Sequence, residues 1–325
     1  MKFGVFLNQY YTPESDFEVT DLYEQADLME DLGFDSATLG ERHVHEEGIV
    51  EPITTLAALA GRTDDLELGA TTFLPALYHP LHLAEQVAMI DRLSGGRMHF
   101  GGAIGYRRRE LEPFGIEREQ RADAFMESLE VLKRLWTEDS VSHEGRWTFE
   151  DVFISPKPVG KMPVWIGGHA DIAIKRAAYR GDAWVASASS TPEDLEHQVG
   201  VYEGALEEFG MDRAENDIIL MRDCYVADSE AEAKETIEPH LLTLYEMYAR
   251  WGMTYMEEHE VEVDWDELEE KFLIGSPEDV ASDLETYADL GVDHVVLRVQ
   301  FPGQPQEPVL RCLERMGEDV IPEFQ

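Results

Sequence analysis

Cysteine is almost absent from this chain. Cys224 and Cys312 stand alone, with no CxxC and no even-numbered framework, so neither a disulfide scaffold nor a zinc knuckle is indicated. Long apolar runs are missing as well. None approaches the roughly 18 residues that span a bilayer, and the N-terminus enters a strand-like segment directly where a signal peptide would stand. A cytoplasmic protein with no membrane partner is expected. Lysine is scarce, at 7 of the 26 basic residues, the other 19 being arginine. Neither a P-loop nor a G-x-S-x-G elbow occurs, which argues against the commonest NTPase and hydrolase classes. The one glycine-rich stretch, Gly101 to Gly105, lacks the dinucleotide fingerprint and its acidic residue some twenty positions on.

Negative charge is abundant instead. With 68 Asp and Glu, the 325 residues have a formal charge of −42. A surface of that sign repels nucleic-acid phosphates and anionic membranes. Hydrophobic residues make up 43% of the chain, enough to bury a large core, so the charge is a coat on a folded protein and not a mark of disorder. Such a coat suits high salt, where self-repulsion is screened.

Short β-branched or apolar segments alternate with longer helical patterns, the arrangement of a parallel sheet with helical crossovers. Eight strands are expected: Phe3 to Leu7, Ser36 to Leu39, Leu66 to Leu74, Met98 to Ala103, Val164 to Ile166, Ala183 to Ala186, Ile218 to Val226, and His294 to Val299. Eight closes a barrel, so the expected fold is α/β, a single (β/α)8 TIM barrel over residues 1–325. A first helix over Asp16 to Leu32 ends at Gly33, and Ser276-Pro277-Glu278 starts the last helix before strand eight, which Gly291 closes. Two stretches break the rhythm and are expected to be insertions: a hairpin near 138–162 and an acid-rich segment near 252–274.

In a barrel of this kind the residues just past each strand form the active face. Those positions are rich in glycine and polar residues: Gln9-Tyr10, Gly40 to His45, Pro75 to His79, Ile104 to Glu110, Gly167-Gly168-His169, Ser187 to Ser190 and Gln300. Arg107-Arg108-Arg109 is the only run of three basic residues. It reads either as a solvated helix start paired with Glu110 and Glu112 or as an anion clamp. Gly167-Gly168 running into a helix at Ala170 reads as a second anion site or as a packing turn. His43, His45, His79 and His82 lack a matching third ligand apart from Glu41, so no metal is expected; His43 is better suited to contact a ring or move a proton.

The opening MKFGVFL, the run LGFDSATLGERH, the block TDDLELGATTFLPALYHPLHLAEQVAMIDRLSGGRMHFGGAIGY and the closing GSPEDVASDLETYADLGVDHVVL resemble the bacterial luciferase-like flavin-dependent oxidoreductases, nearly end to end. The resemblance implies a barrel binding reduced FMN, or the deazaflavin coenzyme F(420), at its C-terminal face. FMN members use oxygen to oxidise small organic substrates; deazaflavin members act as reductases or dehydrogenases by hydride transfer. It also implies a non-proline cis peptide at Thr71-Thr72, and a homodimer through the helices Ile53 to Gly61 and Leu81 to Leu93. Resemblance to the two-component members further implies a separate flavin reductase as a partner. Arg42 stands where luciferases have a catalytic histidine, and Tyr106 where the sugar-phosphate dehydrogenases have an acid.

The site residues implied are Arg42, His43 and Tyr106 beside the reaction centre. Glu41, Thr71, Thr72, Gly105, Arg107, Arg108, Gly167, Gly168, His169 and Ser187 are expected to hold the cofactor. Reduced FMN with oxygen stands first, because the loop Glu41-Arg42-His43 resembles the FMN members more closely. Deazaflavin is the alternative, favoured by an acidic composition of the kind found in halophilic archaea. A non-catalytic flavin-binding barrel is a further alternative, on the strength of the arginine at position 42.

Overall fold

A computed structural model describes residues 1–7, 10–11, 18–44, 48–252 and 263–325. Eight parallel strands form a closed ring: Lys2–Phe6 (β1), Ser36–Leu39 (β2), Glu67–Ala70 (β3), Met98–Gly102 (β4), Val164–Gly167 (β5), Ala183–Ala186 (β6), Asp217–Val226 (β7) and His294–Arg298 (β8). Each strand pairs with the next in sequence. The pairing of β8 with β1 closes the ring, setting Lys2 opposite His294 and Val5 opposite Leu297. All eight expected strands and the (β/α)8 barrel are therefore present. β3 is shorter than expected: its ladder stops at Ala70, the Thr71–Thr72 peptide is cis, and Phe73 rejoins through a single bridge to Gly102.

Strand alternation divides the core in two. Phe6, Trp165, Val185, Ile219 and Val296 fill the barrel as one cluster, while the opposite faces of the strands pack under the helices as a much larger one. Helix starts follow the local signals. Thr191 and Ser276 each form a reciprocal capping box, with Asp194 and Asp279, ahead of the helices Pro192–Phe209 and Pro277–Asp289. The first helix runs over Asp21–Asp31, later than the spacing suggests; Asp16 and Phe17 lie outside the described residues.

The segment 138–162 contains an antiparallel hairpin, Val141–His143 with Phe149–Val152. The segment 252–274 does more than interrupt the barrel, because Phe272–Gly275 is a ninth strand that pairs with Asp223–Val226 of β7. At ten residues, β7 is long enough to pair β8 along one stretch and this strand beyond it. Residues 253–262 lie outside the described residues. No helix among the described residues is long and apolar enough to cross a membrane.

The N-terminal end of the barrel is floored by a buried aromatic group. His99 stacks on Trp165 with ring centroids 3.6 Å apart, and His294 lies edge-on to Trp165 with its Nε2 3.0 Å from Ser36 Oγ. Gly69 makes this possible, since a Cβ there would sit 2.1 Å from His99 Nε2. Burial pushes His294 down to about 3 and His99 well below the usual histidine range. Both stay neutral when folded but gain protons when unfolded, so their contribution to stability is complete above about pH 6.5 and is lost as pH falls below it. Urea midpoints measured at about pH 7 and about pH 5 are expected to drop less for His99→Gln than for the wild type. Equal drops would show that His99 has no part in the acid response.

Candidate functional site

The loops that follow β2 to β6 surround a cavity of about 430 Å³ at the C-terminal end of the barrel. That is within the range of small-molecule and cofactor sites. Leu74, Ala103, Ile104, Val185 and Met221 give it apolar walls, and three arginines, Arg42, Arg121 and Arg176, reach it; no carboxylate is among its lining residues. In a chain with 68 acids, that exclusion marks the cavity as a place for an anion. Of the residues expected to form the site, Arg42, Thr71, Thr72, Gly105, Tyr106, Gly167, Gly168, His169 and Ser187 all line it.

Glu41 organises the near wall. It follows β2, is almost fully buried, and both carboxylate oxygens are engaged. Its Oε2 accepts from the Leu74 backbone N–H at 2.6 Å, and its Oε1 accepts from the Tyr78 hydroxyl at 2.7 Å and lies 2.6 Å from His43 Nε2. The loop after β2 is thereby fastened to the loop after β3. The hydrogen bond to Glu41 raises the His43 pKa above the usual histidine value; burial opposes this, and the charges of Glu41 and Glu110 add to the rise. Glu110 also accepts from the His43 backbone N–H at 2.6 Å. The His43 ring is thus turned to Glu41 and to Phe114, 5.0 Å away between centroids, and does not line the cavity. Its expected place beside the reaction centre is corrected to one behind the wall.

Arg42 projects where His43 does not. Its guanidinium lies 5.1 Å from the centre of the Tyr106 ring, and Nη1 donates to the Glu41 carbonyl at 3.4 Å. The Tyr106 hydroxyl and Thr71 Oγ1 are both buried with no hydrogen-bond partner among the described residues. Arg42, Thr71 and Thr72 also border a second, smaller chamber of about 90 Å³, whose other walls include Glu41, Tyr10 and Tyr248.

The far end of the cavity is built on β5. Trp184 Nε1 donates to the Gly168 carbonyl at 2.7 Å, and a Cβ on Gly168 would lie only 2.4 Å from that of Ala173, so the loop lies close against the start of the helix Asp171–Arg180. Arg176 from that helix and Arg121 from the helix Arg121–Thr137 meet here. Burial lowers the pKa of both guanidiniums; Arg121 lowers that of Arg176 further, while Asp123 opposes the shift. Arg121 Nε is buried without a partner among the described residues.

These two arginines line the cavity, whereas Arg107 and Arg108, expected there, do not. Arg107 is buried, donates to the His43 carbonyl at 3.3 Å, and stacks 4.4 Å from the Trp251 ring centre. Arg108 is exposed and pairs with Glu112 at 2.8 Å, as in the solvated reading of the run. Neither lines the cavity, because the chain turns into the short helix Arg108–Leu111 as soon as it leaves the rim. Arg176 was within reach of sequence reasoning, standing one turn after Ile172 on the helix that follows the paired glycines. Tyr78, Tyr248 and Arg121 carry no comparable local signal. His79 caps the helix Pro80–Leu93, accepting from the Leu81 N–H at 3.3 Å, and no group of residues among those described could hold a metal ion. Gln9 and His45 lie outside the described residues.

A family model described as luciferase-like monooxygenase matches residues 1–294. The chain is 24% identical to the oxygenase component of flavin-dependent trigonelline monooxygenase from Acinetobacter baylyi, over 100% of this chain and 96% of that one. It is 26% identical to the F(420)-dependent glucose-6-phosphate dehydrogenase of Amycolatopsis mediterranei, over 97% and 98% of the two chains. Among solved structures, the monooxygenase RslO1 from Streptomyces bottropensis superposes with a TM-score of 0.88 at 25% identity, covering both chains completely.

The Glu41 clamp can be tested directly. Glu41→Ala is expected to destabilise the fold by about 3 kcal/mol, because it strips an acceptor from three donors at a buried site. In Glu41→Gln, the His43 titration followed by NMR should move down towards the ordinary histidine value; an unmoved titration would exclude the hydrogen bond as its cause.

Proposed function

We propose, since the chain belongs to the luciferase-like monooxygenase family, that it is an oxidoreductase using reduced FMN and oxygen on a small organic substrate. The observation that supports this most strongly is the acid-free cavity, with apolar walls for a flat ring and two guanidiniums at one end for a phosphate. The fit is physical. Gly168, packed where Ala173 leaves no room for a Cβ, holds its loop against the helix start at the cavity edge, while Thr71 Oγ1, the Tyr106 hydroxyl and Arg121 Nε are buried donors awaiting an acceptor.

Reduced FMN supplies the electrons when bound. The protein's share is to bind, orient and dry the site. Gly167, Gly168, Arg121 and Arg176 hold the phosphate end, with His169 and Ser187 on the same rim, and Thr71, Thr72 and Gly105 back the ring. Leu74, Ile104 and Met221 exclude water. Arg42 stays charged at neutral pH: burial works against its charge, but the Glu110 carboxylate supports it and a guanidinium gives up its proton only far above neutrality. It therefore stabilises negative charge and does not move a proton. Tyr106 supplies an uncommitted hydroxyl beside it, and His43 serves as a positioning residue through Glu41.

The same cavity suits the deazaflavin coenzyme F(420), and the dehydrogenase relative favours that second reading. We further propose a cytoplasmic homodimer joined through the helices Pro52–Ala60 and Pro80–Leu93, supplied with reduced flavin by a separate reductase, in a cell with a salty interior.

Fluorescence titration with FMN and with F(420) decides the cofactor, and micromolar binding of neither would sink the reading. Arg121→Ala and Arg176→Ala are each expected to weaken FMN at least about tenfold while leaving riboflavin, which lacks the phosphate, nearly unchanged. Raising KCl from about 0.1 M to about 2 M should raise the thermal midpoint by several degrees, as the −42 charge is screened; a fall would count against a salt-adapted surface.

A further inference from the structure

We infer that the small chamber behind Arg42 seats a carboxylate, so that the substrate class is a short-chain organic acid whose reacting carbon remains in the main cavity. This deepens the cofactor reading and rests on it for the place of the reacting carbon.

The chamber measures about 90 Å³ and adjoins the main cavity at Arg42, Thr71 and Thr72, which border both. A single water needs about 10–15 Å³ in the same measure, so there is room for a head group of a few heavy atoms and not for a long chain. Its walls are polar in a directed way. Arg42 brings a guanidinium, Thr71 a buried hydroxyl with no partner among the described residues, and Tyr10 and Tyr248 bring phenols.

Glu41, the one acid that borders the chamber, is already engaged, and Glu110, which does not border it, keeps one buried oxygen, Oε2, without a partner among the described residues. Glu41 accepts from Leu74, Tyr78 and His43; Glu110 accepts from His43 N–H and lies 4.0 Å from Arg107; Asp223, behind Tyr248, is held by Arg298 at 2.5 Å and Tyr245 at 2.9 Å. The Tyr248 hydroxyl in turn accepts from Arg298 Nη1 at 2.5 Å and is hydrogen-bonded to Tyr10. Arg42 has no carboxylate within ion-pair distance among the described residues: it donates to the Glu41 carbonyl and lies over the face of Tyr106.

A half-buried guanidinium with an unpartnered hydroxyl beside it, in a chamber whose one bordering acid is already tied by three donors, matches a carboxylate. An ammonium group would meet Arg42 as a like charge, and an alkyl head would strand the buried donors. The aliphatic remainder of a short acid then extends past Thr71 towards the apolar wall at Leu74 and Ile104.

Calorimetric titration with propionate and butyrate, each against its amide, tests this on the cofactor-free protein and on the protein saturated with FMN. The acids are expected to bind at least about tenfold more tightly than the amides, to lose about tenfold or more in Arg42→Gln, and to recover part of it in Arg42→Lys. Saturation with FMN separates this chamber from the Arg121 and Arg176 end, where the FMN phosphate would displace an acid. Equal binding of acid and amide, or full acid affinity in Arg42→Gln, overturns the inference even if FMN binds. Should Arg42→Gln fail to fold, the wild-type comparison of acid with amide decides alone. Arg42-dependent acid binding in a protein that takes neither FMN nor F(420) would leave the chamber standing and overturn the cofactor reading instead.

Discussion

The buried carboxylate of Glu41 is the constraint on which the near side of the cavity depends. A loop leaving a barrel strand has no ladder to hold it; in the one after β2, Glu41 gathers a backbone N–H from the loop after β3, the Tyr78 hydroxyl and the His43 ring, while Glu110 and Arg107 hold the His43 backbone. The direction of Arg42 follows from this. With Glu41 turned to the protein and His43 turned to Glu41, the side chain between them is the one that meets the cavity. A buried carboxylate is costly unless its oxygens are satisfied, and here every donor that satisfies it is also a tether.

Charge is partitioned sharply across the molecule. The surface is acidic, while the cavity has arginine at both ends and no acid in its lining. An anion approaching from solvent meets a repulsive field, and its binding depends on short-range, directional donors in a low-dielectric pocket. High salt would weaken the long-range repulsion far more than those buried contacts. An acidic coat and an arginine-lined interior are therefore physically compatible at high salt.

The fold was legible because barrel strands are short, apolar and regularly spaced, and because helix boundaries are marked by local chemistry, as at Ser276, Thr191 and Gly33. The site was legible wherever position relative to a strand end decides what a residue faces, as for Arg42, Thr71, Tyr106, Gly168 and Ser187. It was not legible where a side chain's direction depends on long-range contacts. Arg107 faces Trp251 and the His43 carbonyl, more than sixty residues away in either direction, and no local pattern encodes that. Arg121 enters from a helix start remote from every strand end, and the ninth strand was obscured by the acid-rich segment that precedes it.

That ninth strand, Phe272–Gly275, has a consequence for self-association. A closed barrel has no open ladder, and adding a strand to β7 restores one: a row of backbone donors and acceptors along which another chain could align. Here the row is four residues long, the helices Glu230–Arg250 and Pro277–Asp289 pack beside it, and Pro277 follows almost at once without an N–H to offer. With three of its four residues buried and none exposed, the row is too short and too covered to template a sheet between molecules, so the extra strand extends the barrel wall without making the protein adhesive.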